Sequence, residues 1–293
     1  MSRFVPTSRA SLSPRMLRCG RFNFPLDRPL VMGVVNVTPD SFSDGGFFHQ
    51  TRQAVDHALR LLEQGADILD VGGESTRPGA QPVPEGEELR RVMPVLEALV
   101  KHTLPVSIDT RKPRVMREAI MSGAAMINDV MALREPGALE TVANSDVAVC
   151  LMHMQNTPQT MQVAPDYQDV VSEVRQFLAQ RIEACEQVGM ERSRIVIDPG
   201  FGFGKTLAHN LGLLRRLDEF SLLGVPVLAG MSRKSMLGTL TGRDVDQREF
   251  AGVAAHLLAV QRGANILRVH DVVATKDALA VWHAVEGENN NEP

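Results

Sequence analysis

The 293-residue chain holds only three cysteines, one tryptophan and one tyrosine. Cys19, Cys150 and Cys185 are odd in number, far apart and outside any CxxC spacing, which argues against a disulfide framework and a structural zinc site. A reducing compartment, the cytoplasm, suits them best. No apolar run reaches the ~20 residues that cross a bilayer, so no membrane partner is expected. Excess positive charge is lacking too. The formal net charge is −4, which removes the sequence-independent attraction that phosphate-backbone binders rely on, and nucleic acid is not an expected partner.

Several chemistry-bearing motifs are also missing. The run Pro199 to Thr206 ends like a P-loop, but proline stands where the first glycine of GxxxxGK[ST] belongs. The same run fails GxGxxG because Lys205 replaces the last glycine, so nicotinamide binding is unsupported. His153 and His256 match no ligand spacing such as HExxH, which argues against a tightly held transition metal. Cys150 within an apolar strand and Cys185 within a helix are poor candidates for thiol catalysis.

What is present is a chain with 44% hydrophobic and 23% charged residues, enough for one large core. Residues 1–29 form a basic leader, with Arg3, Arg9, Arg15, Arg18 and Arg21 all preceding the first acidic residue, Asp27. That composition also suits a transit peptide, but the expected form is a flexible leader running into a strand near Cys19–Leu26. Residues 287–293 read as a frayed polar tail. Between them, short apolar runs alternate with longer helical stretches, eight of each. The expected strands are Leu30–Asn36, Asp67–Gly72, Pro105–Asp109, Ala125–Val130, Val147–His153, Ile195–Asp198, Pro226–Gly230 and Asn265–His270. Continuously apolar strands belong to parallel sheets covered on both faces. Val55, Leu59 and Leu62 lie at helical spacing before Gly65, where a helix would stop. Eight βα units over residues 30–286 make a single-domain α/β fold, the (β/α)8 TIM barrel, the leading architecture. A doubly wound open sheet is the runner-up, since it shares the alternation but rarely needs eight units.

A barrel of this kind carries its site at the carboxyl ends of the strands. Asn36, Thr76 with Arg77, Asp109, Asn128, His153, Asp198, Lys234, Arg268 and His270 all fall at or just past expected strand ends. One polar residue ending a strand is an ordinary turn or cap residue; nearly every strand ending so is harder to dismiss. Asp109, Asn128 and Asp198 could grip a planar heterocycle that presents a row of N–H groups. Alternatively, Asp198 merely terminates a strand before Pro199, and Asp109 caps the helix starting near Lys112. Arg268 and His270, two apart on one strand, share a face and with Asn36 could hold a polyanion such as diphosphate. A buried strand rarely tolerates an unpaired arginine.

Two glycine-bracketed segments, Val31-Met32-Gly33-Val34-Val35-Asn36-Val37-Thr38-Pro39-Asp40-Ser41-Phe42-Ser43-Asp44 and Gly65-Ala66-Asp67-Ile68-Leu69-Asp70-Val71-Gly72-Gly73-Glu74-Ser75-Thr76-Arg77-Pro78, carry a resemblance. With Asp198-Pro199-Gly200-Phe201-Gly202-Phe203-Gly204-Lys205 and Gly230-Met231-Ser232-Arg233-Lys234-Ser235, in that order, the chain resembles the dihydropteroate synthase family from about Leu30 to Val285. The resemblance implies condensation of 6-hydroxymethyl-7,8-dihydropterin diphosphate with 4-aminobenzoate, releasing diphosphate and forming 7,8-dihydropteroate in folate biosynthesis. It assigns the pterin to Asp109, Asn128, Asp198 and Lys234, and the diphosphate to Asn36, Thr76, Arg268 and His270, with Mg2+ beside Asn36. It assigns 4-aminobenzoate to Phe42, Arg77, Pro78, Lys234 and Ser235, and the catalytic roles to Asp44, Arg77 and Lys234. A cytoplasmic homodimer that sulfonamides target is implied as well. The rivals are a pterin-binding methyltransferase domain, which would have nothing for Arg268 and His270 to hold, and a pterin-binding protein without turnover.

Overall fold

The computed structural model describes residues 16–37, 46–75, 79–156, 160–161 and 164–286, with only the backbone described at 46–48. Phe42, Asp44, Thr76, Arg77 and Pro78 lie outside the described residues, as do Arg3, Arg9, Arg15 and the tail 287–293.

The chain enters through an antiparallel hairpin rather than the single strand expected near Cys19–Leu26: β1 (Met16–Cys19) pairs with β2 (Phe22–Pro25). Gly20, at φ +55, supplies the first position of the two-residue turn, where primed hairpin turns need a left-handed residue. The hairpin closes the amino-terminal end of the barrel. Leu17 and Cys19 pack with Leu30, Ile68, Met126, Ala148, Val196 and Ile266 in one buried cluster, and the Gly20 N–H donates to the Asp146 carbonyl at 3.0 Å.

Eight parallel strands follow: β3 (Leu30–Asn36), β4 (Ile68–Gly72), β5 (Val106–Asp109), β6 (Met126–Asp129), β7 (Ala148–Met152), β8 (Ile195–Asp198), β9 (Leu228–Ala229) and β10 (Ile266–Val269). Each pairs with its sequence neighbour, and β10 pairs with both β3 and β9. The ring closes where Ile197 bridges Val227 and donates to the Pro226 carbonyl at 2.9 Å. The (β/α)8 barrel expected from the alternation is the fold. Strand period decides the rest: Val31, Leu69, Val106, Ile127, Val149 and Ile197 face the outer helices, whereas the alternate residues fill the barrel.

The helices are α1 (Gly46–Glu63), α2 (Glu85–Leu99), α3 (Pro113–Met121), α4 (Ala138–Ala143), α5 (Val170–Gln187), α6 (Leu207–Arg215), α7 (Ser235–Thr241), α8 (Glu249–Val260) and α9 (Val272–Glu286). Gly65, φ +99, ends α1 as the sequence suggests: its N–H donates to Leu62 O and that of Ala66 to Leu61 O, the paired bonds of a Schellman turn. Nine α-helices among the described residues replace the expected eight. The unit after β9 is split because Gly242, φ +69, stops α7 in the left-handed region before α8 begins.

Candidate active site

The polar residues of the barrel interior are stacked toward its carboxyl end by strand register. Asp70 is level with Ser107 on the neighbouring strand, Asp109 with Asn128, and Met152 with Asp198. Asp109, Asn128, Asp198, Lys234, Arg268 and His270 converge on one cleft, walled by Val130, Met152 and Phe203. Asn36 stands half-buried at the end of β3. Ser235 is exposed at the first turn of α7, away from the cleft lining. His153, also at a strand end, turns aside and packs edge-on against Phe177 at 5.0 Å.

Arg268 is the hub. Its Nε donates to Asp70 Oδ2 at 2.6 Å and its Nη2 to Asp109 Oδ2 at 2.9 Å. The anions that meet this buried-strand arginine are therefore the protein's own carboxylates, one of them fully buried. They hold its pKa above the ordinary arginine value despite burial. Asp70 Oδ2 also accepts from Asn128 Nδ2 at 3.0 Å, which leaves the Asn128 carbonyl oxygen for other donors.

Asp109 does not cap the following helix. The residue before α3 is Lys112, no side chain caps it, and the Lys112 N–H is taken by Thr110 Oγ1 at 3.2 Å. Burial pushes the Asp109 carboxyl up to about 7, with Arg268 opposing and Asp70 adding to the rise. Asp198 does part of the local work proposed for it: Oδ1 accepts from Gly200 N at 2.7 Å. Burial raises its pKa, and Lys234 counters. Lys234 Nζ lies 4.4 Å from the Phe203 ring centroid and donates to Phe201 O. Burial brings it down to about 8, while Asp198 resists the fall. His270 Nδ1 sits 3.0 Å from Ser232 Oγ, which also accepts from the His270 N–H at 3.2 Å.

A family model described as pterin binding enzyme matches residues 32–270. The dihydropteroate synthase of Neisseria meningitidis serogroup C is 52% identical over 273 residues, 92% of this chain and 96% of that one. The chain belongs to the dihydropteroate synthase family. Among solved members, the Xanthomonas albilineans dihydropteroate synthase with 4-aminobenzoic acid is 59% identical with a TM-score of 0.88, covering 94% of this chain and 99% of that one. The Burkholderia cenocepacia dihydropteroate synthase complexed with 7,8-dihydropteroate is 49% identical with a TM-score of 0.86, covering 95% and 99%.

Asp70 is the site residue that sequence reasoning missed. It lies inside the segment that resembles the second dihydropteroate synthase signature, and the signal was available: a carboxylate in the middle of a continuously apolar strand needs a buried partner. The contacts made by Gly73 and Glu74, just past β4, were missed as well. There Lys112 joins Glu74 to the buried Glu88 and donates to Val83 O at 2.7 Å, and Arg91 Nη1 donates to Gly73 O at 2.9 Å. No cluster of three His, Cys, Asp or Glu able to hold a metal occurs among the described residues. The amide oxygen of Asn36, at the end of β3, is a hard donor of the kind that fits Mg2+, which binds few protein ligands when phosphates supply the rest.

Proposed function

We propose that this chain is a transferase that condenses 6-hydroxymethyl-7,8-dihydropterin diphosphate with 4-aminobenzoate, releasing diphosphate and forming 7,8-dihydropteroate in folate biosynthesis. The observation that carries the reading is the convergence of Asp109, Asn128, Asp198, Lys234, Arg268 and His270 on one cleft. Kinship with the synthases that bind 4-aminobenzoic acid and 7,8-dihydropteroate supports it.

The pterin ring offers N–H donors and a ring carbonyl. Asp109, Asp198 and the Asn128 oxygen accept the former, and the N–H groups of Lys234 not used on Phe201 meet the latter. Cleavage of the methylene C–O bond sends the bonding pair to the diphosphate oxygen and leaves positive character on the carbon, a dissociative substitution. Arg268 and His270 stabilise the departing anion, with Thr76. Mg2+, held by Asn36 and the phosphate oxygens, supplies further charge neutralisation when bound. Asp44 faces the cationic carbon, and the aniline nitrogen of 4-aminobenzoate forms the new C–N bond and then loses a proton. Phe42, Arg77, Pro78, Lys234 and Ser235 form the aminobenzoate site, where a sulfonamide, as a mimic of that substrate, competes. The weakly basic aniline needs no strong general base.

The active form is a homodimer. Apolar side chains left exposed on the last helices, Phe250 (82% exposed), Val281 and Val285 (66% each), support burial against a second copy. A cytoplasmic location is supported by three free, buried cysteines; among the described residues no helix is long and apolar enough to cross a membrane.

Diphosphate release from the dihydropterin diphosphate with Mg2+, measured with and without 4-aminobenzoate alongside mass detection of dihydropteroate, tests the reading. Aminobenzoate-dependent release with product formed supports it. Pterin binding with neither release nor product overturns it in favour of a methyltransferase or binding protein.

A further inference from the structure

Lys205 and His153 are titratable groups that the reaction chemistry leaves unused. Both are buried beside the cleft, 3% and 7% exposed, and neither lines it. Lys205 Nζ lies 3.0 Å from His153 Nδ1, 2.9 Å from Phe203 O and 3.3 Å from His153 O. These three contacts match the three N–H groups of an ammonium. Burial lowers the Lys205 pKa well below its ordinary value, with Asp198 opposing. Burial, then the Lys205 charge, takes His153 down to about 2, so its ring is neutral. The pair closes in either state of the lysine: Nδ1 accepts from an ammonium, or as N–H donates to an amine.

Placing a lysine here costs free energy that a leucine would not. What the lysine ties together accounts for its presence. The loop from Pro199 to Thr206 contains Gly200, Gly202 and Gly204, all at positive φ, and has little stiffness of its own. Lys205 fastens the carbonyl of Phe203, whose ring walls the cleft beneath Lys234. His153 answers from the other side: its backbone N–H donates to Asp198 O at 3.0 Å, and its carbonyl is packed so closely that a Cβ on Gly200 would come within 1.9 Å of it. Tyr167 OH to Gly204 O, at 2.9 Å, and Gly202 N to Asn210 Oδ1, at 2.7 Å, secure the loop's outer part. The Lys205–His153 contact secures the part that bears on the cleft.

We propose that Lys205, seated on His153, is a positioning residue for the pterin cleft: it fixes the loop after β8 so that Asp198, Phe203 and Lys234 hold one geometry. The proposal rests on the pterin reading above and goes beyond it, because neither residue touches the substrate.

The test compares wild type with Lys205→Met, His153→Leu and His153→Asn. The asparagine places an amide near the position of Nδ1, able to accept or donate. KM for the dihydropterin diphosphate, KM for 4-aminobenzoate and kcat are measured, together with calorimetric binding of the dihydropterin diphosphate in the absence of aminobenzoate. Lys205→Met and His153→Leu are expected to weaken pterin binding and raise its KM about 10- to 100-fold, the range for a lost contact to a charged group. His153→Asn is expected to restore most of the loss. Should Lys205→Met fail to fold, the two His153 variants decide alone. Unchanged pterin binding and KM, with only a smaller folded fraction, would mean a structural role and overturn the proposal. A wild type that neither binds pterin nor turns over would sink the functional reading and the proposal with it; an active wild type matched by its variants would sink the proposal alone.

Discussion

Arg268 reaches past β3 to Asp70, 198 positions earlier in the chain, with Nε and Oδ2 2.6 Å apart. The same carboxylate oxygen takes Asn128 Nδ2, so one buried group orients both the Asn128 amide and the Arg268 guanidinium. Asp70→Asn keeps the shape and an acceptor but removes the charge. The expected stability loss is about 1.5–3 kcal/mol, the worth of a hydrogen bond to a charged group, read as a lower urea midpoint at unchanged slope. kcat/KM for the pterin substrate is expected to fall at least about 10-fold, because Arg268, left with Asp109 as its carboxylate partner, loses the charge that fixes its Nε. Wild-type kinetics in Asp70→Asn would remove Asp70 from the site.

Asp109 implies a pH dependence whose sign is opposite to that of an ordinary salt-bridged carboxylate. Burial raises its pKa from 3.8 to about 7 in the folded chain. Between those values the unfolded carboxyl has lost its proton while the folded one keeps it, so the folded state binds more protons and stability falls as pH rises from about 4 to about 7. Asp129, raised to about 6 by burial against the pull of two backbone N–H donors, adds the same sign over a narrower window. The thermal midpoint of unliganded wild type is therefore expected to drop across this range relative to Asp109→Asn, which lacks the Asp109 share. Parallel curves for the two proteins would show that Asp109 titrates normally.

The barrel was legible because its causes are local and repeated: apolar runs of strand length, helical spacing between them, and a stop signal such as Gly65. The site was legible in outline because strand ends are where polar residues gain a purpose in this fold. Two things were hidden. The partner of Arg268 could not be found by spacing, since Asp70 and Arg268 meet only when strands β4 and β10 flank β3 in the closed ring. The hairpin was read as one strand because Gly20-Arg21 is a weak turn signal without the asparagine or aspartate that marks most tight hairpins.

The hairpin's role is separable from catalysis. Leu17 is fully buried in the cluster that seals the amino-terminal end of the barrel, the end opposite the cleft. Leu17→Ala is expected to cost about 2–5 kcal/mol, transfer plus cavity, measured by denaturant unfolding. kcat and both KM values of the folded fraction stay unchanged, as conservation of function at the far end of a barrel requires. A large change in pterin KM would mean that the floor and the mouth of the barrel are mechanically coupled.

Gly200 gives the sharpest steric prediction. Its φ of +72 would cost an alanine about 1–2 kcal/mol anywhere in the chain. Gly189, at φ +86, has nothing within 4 Å of an added Cβ, so Gly189→Ala isolates that backbone cost. At Gly200 the added Cβ would stand 1.9 Å from the His153 carbonyl oxygen and 3.4 Å from Lys205 Nζ, and neither can retreat without breaking the bonds that fix the loop. Gly200→Ala is therefore expected to lose about 1–3 kcal/mol more than Gly189→Ala, the amount overpacking adds to the backbone cost. It is also expected to weaken pterin binding, because Asp198 Oδ1 is held by the Gly200 N–H itself; Gly189→Ala leaves that binding intact. Denaturation midpoints and pterin calorimetry on the two variants side by side decide the matter: equal losses would show that the loop yields to the methyl group and that its rigidity does not shape the cleft.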